Sequence, residues 1–482
     1  MLSTIHSTSS KSVLSRLSAS EMRGGLTLLI SLAVAACGSD SNNSPPPPQP
    51  PAPTVQISVT PTTIAVGQSA TVTWTSNAAN CTATGSWSGS QAVNGMQVVT
   101  PTATGNFSYT LTCAAASGGG GGAPTTAVQA TLTVDPPTSY TRTDLVSDVA
   151  GTAAKVTDPN LLNPWGLVFA PTAPVWIANN HAQANKDPTS TLYDGTGKII
   201  PLVVDLPPNG AVTFDPTGIV FNGTTDFKIT KAGNTAPAPF IFTGEGGMIG
   251  GWAKAVDAAN EVTMYIDTTG AVYKGLALAA NGGANFLYAT DFHNGKVDVF
   301  DATYIKQTTS ATHFQFVDPN LPAGYAPFGI AAFQNGANGA TQIYVTYAPQ
   351  LPPDNHDNGG GPGQGIIDIY DTNGTFIKRL VSTGGALNAP WGLALAPNDF
   401  GLVLSNALLV SNFGDGTING YDPATGAFLG TIKDATGAPF SVVGLWGIAF
   451  GNDALNQPHN TLFFTAGLAN ENDGVYGRID KN

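Results

Sequence analysis

From about residue 160 onward the hydrophobic positions fall into short runs rich in Val, Ile, Phe and Tyr, bounded by Gly, Asn and Asp. That pattern predicts strands, not helices. One run recurs six times around a glycine: WGLVFA from Trp165, TGIVFN from Thr217, KGLALA from Lys274, FGIAAF from Phe328, WGLALA from Trp391 and WGIAFG from Trp446. The glycines Gly166, Gly218, Gly275, Gly329, Gly392 and Gly447 stand 52, 57, 54, 63 and 55 positions apart, the length of a four-stranded propeller blade with its loops. A second apolar run follows in every period, beginning at Val175, Phe240, Phe286, Gln342, Leu408 and Leu462, and a third ends at Asp301, Asp371, Asp422 and Asp480. Six blades are expected. Gly beside an aromatic residue reads as a device for close approach of inner strands, and Pro164, Pro216, Pro327 and Pro390, two residues earlier, mark strand starts. The last period shows only three strands before Asn482, so the segment Thr141 to Ala150 is expected to supply the fourth and close the ring.

Residues 54–135 carry the alternating stretches VQISVT, ATVTWTS, MQVVTP, YTLTC and ATLTVD, which predict a separate β-sandwich. This module resembles a bacterial immunoglobulin-like domain, and the resemblance implies that Trp74, seven positions before Cys81, packs near a disulfide. The expected fold is therefore all-β: a six-bladed β-propeller over 140–482 behind an immunoglobulin-like β-sandwich over 54–135. Ahead of both, Lys11, Arg16 and Arg23 precede LTLLISLAVAA, a run too short for an ordinary membrane span and suited to a signal-peptide core. Val34, Ala35, Ala36 and Cys37 resemble a bacterial lipoprotein box. The resemblance implies removal of residues 1–36 and diacylation of Cys37, with Gly38 implying the outer membrane; an ordinary secretory signal with an incidental Cys is the alternative. Residues 37–53 then form the lipidated Cys and a Pro-rich tether. The expected address is the cell envelope, lipid-anchored and facing the periplasm or the surface. With Cys37 assigned to lipid, Cys81 and Cys113 are the remaining pair of the three cysteines, either as a disulfide or as two thiols.

A formal net charge of −13, with 10% of residues charged and no basic patch, excludes nucleic acid and anionic membrane surfaces as partners. There is no G-x-S-x-G elbow, H-E-x-x-H, Walker loop or EF-hand pattern, and no catalytic residue is assigned. Nothing in the pattern sets an oligomeric state.

The phrases NPWGL (163–167), APWGLALAP (389–397) and ATDFHNGKVDVFD (289–301) are similar to a family of uncharacterised secreted bacterial proteins, some with surface-sorting tails. Their repeats resemble the NHL and gluconolactonase class of six-bladed propellers. The resemblance covers nearly all of 140–482 and brings no established activity with it. In such propellers the loops before the inner strands and after the second strands share one face. Aligning the repeats places Asn179, Gly244, Asp291, Tyr347, Asn412 and Ala466 there, with Asn180, His181, Glu245, His293, Asp354, His356, Asp357, Asp415, Asn470 and Asp473 nearby. Oxygens of Asn179, Glu245, Asp291 and Asn412 are candidate ligands for Ca²⁺, the kind of site that gluconolactonases carry at that place; turn caps are the competing reading. Trp165, His181, Lys274, His293, Trp391 and Trp446 are candidate ligand-binding rim residues. The tryptophans, with Phe328, either form a collar that stacks on a sugar or peptide or pack between blades. Lys274 either meets an anionic ligand or pairs with Asp291. Two functions follow as expectations: a non-catalytic envelope lipoprotein that binds a glycan, peptide or protein, or a Ca²⁺-dependent lactonase-like hydrolase or lyase at the pore mouth.

Overall fold

The computed structural model describes residues 51–116, 125–181, 186–310, 312–334 and 339–482. Cys37, the leader and most of the tether lie outside them. Among the described residues the chain is all-β save for one short turn at 468–471.

Two facing sheets come first. Val55–Thr60, Ala70–Ser76 and Gly95–Val99 form one; Thr63–Ala65, Thr125–Asp135, Gly105–Ala114, Asn80–Gly85 and Gly89–Gln91 form the other. Alternate residues of both sheets meet in one core of Val72, Trp74, Trp87, Tyr109, Leu111 and Leu132. Cys81 and Cys113, directly opposite each other on paired strands, form a disulfide inside that core.

Six sheets follow, their blade strands antiparallel, arranged around an axis as a β-propeller. The first four-stranded blade runs Pro164–Phe169, Val175–Asn179, Thr189–Tyr193 and Ile199–Asp205. The second is Pro216–Phe221, Phe240–Gly244, Met248–Trp252 and Val262–Ile266; the third, Tyr273–Asn281, Ala284–Asp291 and Lys296–Phe300. The fourth is Tyr325–Gln334, Thr341–Pro349, Ile366–Asp371 and Phe376–Val381, and the fifth Pro390–Leu395, Leu408–Asn412, Ile418–Tyr421 and Phe428–Thr431. In the last blade Leu445–Phe450, Leu462–Gly467 and Asp473–Lys481 are joined by Tyr140–Ser147. That strand, from ahead of the first blade, pairs antiparallel from Tyr140 opposite Lys481 to Ser147 opposite Val475. It closes the ring and covers the edge that the C-terminal strand would otherwise leave open.

The repeat glycines owe their place to the crowding of inner strands. Each inner strand carries a register irregularity between the residue two before its repeat Gly and the residue after that Gly. A Cβ on Gly329 would overlap the Trp391 carbonyl, and one on Gly447 would press on Trp165 O, in each case the inner strand of the next blade. Side-chain hydroxyls staple the same seam. Thr346 Oγ1 accepts from Gly329 N at 2.8 Å and donates to Pro390 O of the next blade at 2.6 Å. Thr290, Ser411 and Thr465 do the same for Gly275, Gly392 and Gly447, and Thr465 reaches Trp165 O across the closure of the ring.

One buried acid stands outside this scheme. Glu261 is 2% exposed, accepts one bond from Thr263 and leaves Oε1 without a partner among the described residues. Burial pushes its carboxyl from 4.5 up to about 8. The folded chain therefore keeps a proton that the unfolded chain gives up, so stability from this group is full below pH 4.5 and is lost as pH rises toward 8. Glu261→Gln is expected to flatten the fall in melting temperature between pH 5 and pH 8 by an amount equivalent to a few kcal/mol. An unchanged slope would show that the carboxyl ionises normally.

Candidate functional site

The mouth of the propeller is set by how each second strand ends. There a backbone N–H is donated to the residue that precedes the inner strand: from the residue after the strand in Asn180 to Asn163 O at 2.9 Å, Glu245 to Asp215 O at 3.0 Å, Phe292 to Val272 O at 2.9 Å and Phe413 to Ala389 O at 3.0 Å, and from the last strand residue in Gly467 to Gly444 O at 2.9 Å. Because side chains alternate along a strand, the residue before each donor turns into its own blade while the donor turns over the axis. Phe292, Ala348 and Phe413 accordingly join Trp165, Phe328, Trp391 and Trp446 in one cluster.

That cluster plugs the pore. Trp165 stacks on Trp446 with ring centroids 3.4 Å apart, Trp391 meets both edge-on at 5.8 and 5.7 Å, and Phe413 stacks on Trp446 at 4.1 Å. Trp391 Nε1 donates to Lys274 O at 3.1 Å. The tryptophans, from the inner strands of three blades, are buried against one another: they pack between blades and do not form an open collar. Farther along the inner strands lies a cavity of about 100 Å³ lined by repeat glycines and the Leu and Ile that follow them.

Over the plug, a polar arc runs through five blades. Glu471 Oε2 lies 3.5 Å from Asn163 Nδ2, which also donates to Asn180 Oδ1 at 3.1 Å. Asn180 Nδ2 donates in turn to Glu245 Oε2 at 3.0 Å. Glu245 Oε1 forms an ion pair with Lys274 and lies 3.9 Å from His356 Nε2; His356 Nδ1 is 2.9 Å from Asp357. Lys274 is 2% exposed, and its ammonium also sits 5.2 Å over the Trp165 ring. Two local devices aim these groups. Asn163 and Asp215 take positive φ (43° and 45°) before Pro164 and Pro216, and Ala469, Asn470 and Glu471 form a left-handed turn with φ of 52°, 54° and 65°.

Charge in the arc is unevenly compensated. Burial alone would raise the Glu245 carboxyl, but Lys274 beside it prevails and holds it below its ordinary value. Burial and then the Glu245 charge push Glu471 up to about 7. Burial first, with a contribution from Glu245, also raises Asp215. The hydrogen bond to Asp357 raises the His356 imidazole and lowers the Asp357 carboxyl.

Over 349 residues, 70% of this chain and 79% of the other, the sequence is 33% identical to "Uncharacterized protein R648" of Acanthamoeba polyphaga mimivirus. The chain belongs to the family of that protein. A second protein of the same virus, "Uncharacterized protein L690", is 29% identical over 336 residues, 67% of this chain and 82% of that one. These relatives are viral, whereas the sequence phrases resemble bacterial proteins. No family model matches the chain. Among solved structures, the soluble aldose sugar dehydrogenase of Escherichia coli is 13% identical, covering 71% of this chain and 99% of its own, with a TM-score of 0.42. The nidogen/laminin complex is 14% identical, with 63% and 86% covered and a TM-score of 0.35. Likenesses this distant say nothing of chemistry.

The four oxygen donors read from the sequence as Ca²⁺ ligands are not brought together by their hydrogen bonds. Asp291 is fully buried and accepts from Val272 N, Asn294 N and Asn294 Nδ2, with Lys296 at 3.4 Å. Asn412 accepts from Asn388 N and donates to Ala386 O and Thr417. Asn179 donates to Thr189 and Thr191 of its own blade, its Oδ1 having no partner among the described residues. Only Glu245 reaches across blades, and the cation on it is Lys274, not a metal. Lys274 thus pairs with Glu245, and Asp291 with Lys296. Among the described residues one group of three metal-ligating side chains lies within 4.8 Å: Glu245, His356 and Asp357. A divalent ion there would face the fixed charge of Lys274 and find too few oxygens for Ca²⁺, so the residues do not fit that ion. His181 is an exposed rim residue, and His293 Nδ1 lies 2.7 Å from Asp354 O, tying two rim loops together. Neither enters the arc.

Asn163, Asp215, Glu471, Phe292 and Phe413 escaped the sequence reading as site residues. The signal for the two phenylalanines was available: period-two alternation moves the axial position one residue past Asp291 and Asn412. Asn163 and Asp215 carried a weaker one, as Asn and Asp are the residue types most tolerant of positive φ.

Proposed function

We propose that the chain is an exported, lipid-anchored cell-envelope protein whose propeller binds a glycan, peptide or protein partner at the mouth without catalysing a reaction. In this reading Cys37 carries the lipid, residues 38–53 form the tether and residues 54–135 an immunoglobulin-like spacer. Nucleic acid is not a partner. The observation that carries the binding reading is the aromatic plug of Trp165, Trp391 and Trp446 with Phe292, Phe328 and Phe413, which fills the axis beneath the polar arc. Lys274, the buried cation of the mouth among the described residues, is spent on Glu245, and a catalytic constellation needs an acid, a base and orienting groups converging on a reacting atom. The decisive experiment is glycan and peptide arrays probed with the full chain and with the Glu245→Gln, Lys274→Met double variant. Ligands that lose binding in the variant support the mouth; ligands held equally by both place the site elsewhere.

The enzyme reading keeps one observation, the Glu245, His356 and Asp357 group, and Lys274 opposes it. On the binding reading the melting temperature is expected to be the same in millimolar Ca²⁺ and in chelator. A Ca²⁺-dependent rise, of the kind that mass action gives a native-state ligand, would restore the metal-dependent hydrolase or lyase.

A further inference from the structure

The polar arc holds more acceptors than the chain satisfies. Lys274 neutralises Glu245, and His356 is committed to Asp357. Glu471 has a single hydrogen bond, the 3.5 Å contact from Asn163, and no cation of its own among the described residues. Asn163 is wholly buried, with Nδ2 spent on Asn180 and Glu471, while its Oδ1 has no partner among the described residues. That oxygen lies against Gly467, at the root of the turn that carries Glu471; a Cβ at Gly467 would overlap it. A buried carbonyl oxygen without a donor and a carboxylate without a cation, on neighbouring residues, call for one kind of group, a positively charged hydrogen-bond donor. A metal ion meets that demand poorly, because two oxygens fall far short of a calcium shell.

The chain already answers the demand once. The Lys274 ammonium is held between the Glu245 carboxylate and the face of Trp165, a pairing of charge and indole face that favours ammonium groups. Resting on the reading of the mouth as the binding site, we infer that its ligand presents a second primary ammonium group, from a lysine side chain or a free amine, to Glu471 and to Asn163 Oδ1. An ammonium carries three donors on one stem, enough for both acceptors with one left for solvent. The segment that must yield to admit it is the left-handed turn Leu468–Glu471, a conformation that L-residues adopt only at a cost. The charged groups facing Glu471 are Glu245, Lys274 and Asp357. With its carboxyl raised to about 7, Glu471 is charged at pH 8 and largely neutral at pH 5.5, so affinity for the ammonium falls as pH drops.

The test compares three probes on the full chain by fluorescence or calorimetric titration: an end-blocked tripeptide with a central lysine, the same peptide with norleucine, and pentylamine. At pH 8 the lysine peptide is expected to bind at least tenfold more tightly than the norleucine peptide. The preference should shrink at pH 5.5 and vanish in Glu471→Gln, a variant whose folding is checked by its melting curve. Pentylamine binding as well as the lysine peptide identifies a free amine as sufficient; much weaker binding identifies a peptide lysine. Equal affinity for the lysine and norleucine peptides, with both lost in the Glu245→Gln, Lys274→Met variant, overturns the ammonium and leaves the mouth as the site. A lysine preference that survives Glu471→Gln, or no binding of any probe, also overturns it.

Discussion

Gly329→Ala is expected to destabilise the propeller by about 4 kcal/mol or more, the range reserved for severe core lesions, or to prevent folding. The new Cβ would overlap the backbone carbonyl of Trp391 and press on Thr346 Oγ1. Neither is the free end of a flexible chain, since the carbonyl belongs to the next blade and the hydroxyl bridges Gly329 N and Pro390 O. The same substitution at Gly275 is expected to cost far less, because its nearest neighbours, Ile330 Cγ2 and Ile330 N, stand at 3.1 Å and need yield only a few tenths of an ångström. Urea unfolding of the two variants checks the contrast. Equal midpoints would mean that the repeat glycines are not placed by contact between inner strands.

The second large effect is expected at the mouth. Lys274→Met removes the cation from a carboxylate that is 12% exposed, and removing one partner of a buried pair costs about 3–5 kcal/mol. Adding Glu245→Gln should recover most of that loss, because the uncompensated charge disappears with it. The single variant should also regain stability as the medium is acidified. In the intact pair the Glu245 carboxyl is held low by Lys274 against the effect of burial; without the lysine, burial raises it, so the folded state takes up a proton that relieves the penalty as pH falls. Thermal melts of the single and double variants at pH 5 and pH 8 measure both effects. A double variant no more stable than Lys274→Met would show that the lysine's stem, not its charge, supports the fold.

What could be read from the sequence and what could not divide along a physical line. The repeat Gly166, Gly218, Gly275, Gly329, Gly392 and Gly447 is legible because one local requirement, room for the next inner strand, recurs in every blade. The closing strand is legible from a deficit, three strands where four are needed, and the structure finds it at Tyr140–Ser147. The mouth is not legible in the same way, since a shift of one residue along a strand exchanges the two faces. Asn179, Asp291 and Asn412 end their strands facing into the blades, where they bond to Thr, Asn and backbone partners. Asn180, Phe292 and Phe413, one residue on, reach the axis. Glu245 follows Gly244, the residue at the aligned strand-end position, and likewise stands one residue on. Glu471 comes from a left-handed turn, which no periodicity announces, and its tie to Asn163 spans 308 positions of sequence.

A cavity of about 980 Å³ lies away from the mouth, where the sandwich meets the propeller, lined in part by Asp135, Thr138, Asp399, Leu402, Lys433 and Asp434. Hydrogen exchange of the full chain, with and without the tightest ligand selected on the arrays, separates the two places. Slowed exchange is expected at 244–247, 354–358 and 468–472. Slowed exchange confined to 135–139, 398–402 and 433–437, with the mouth unchanged, would contradict binding there.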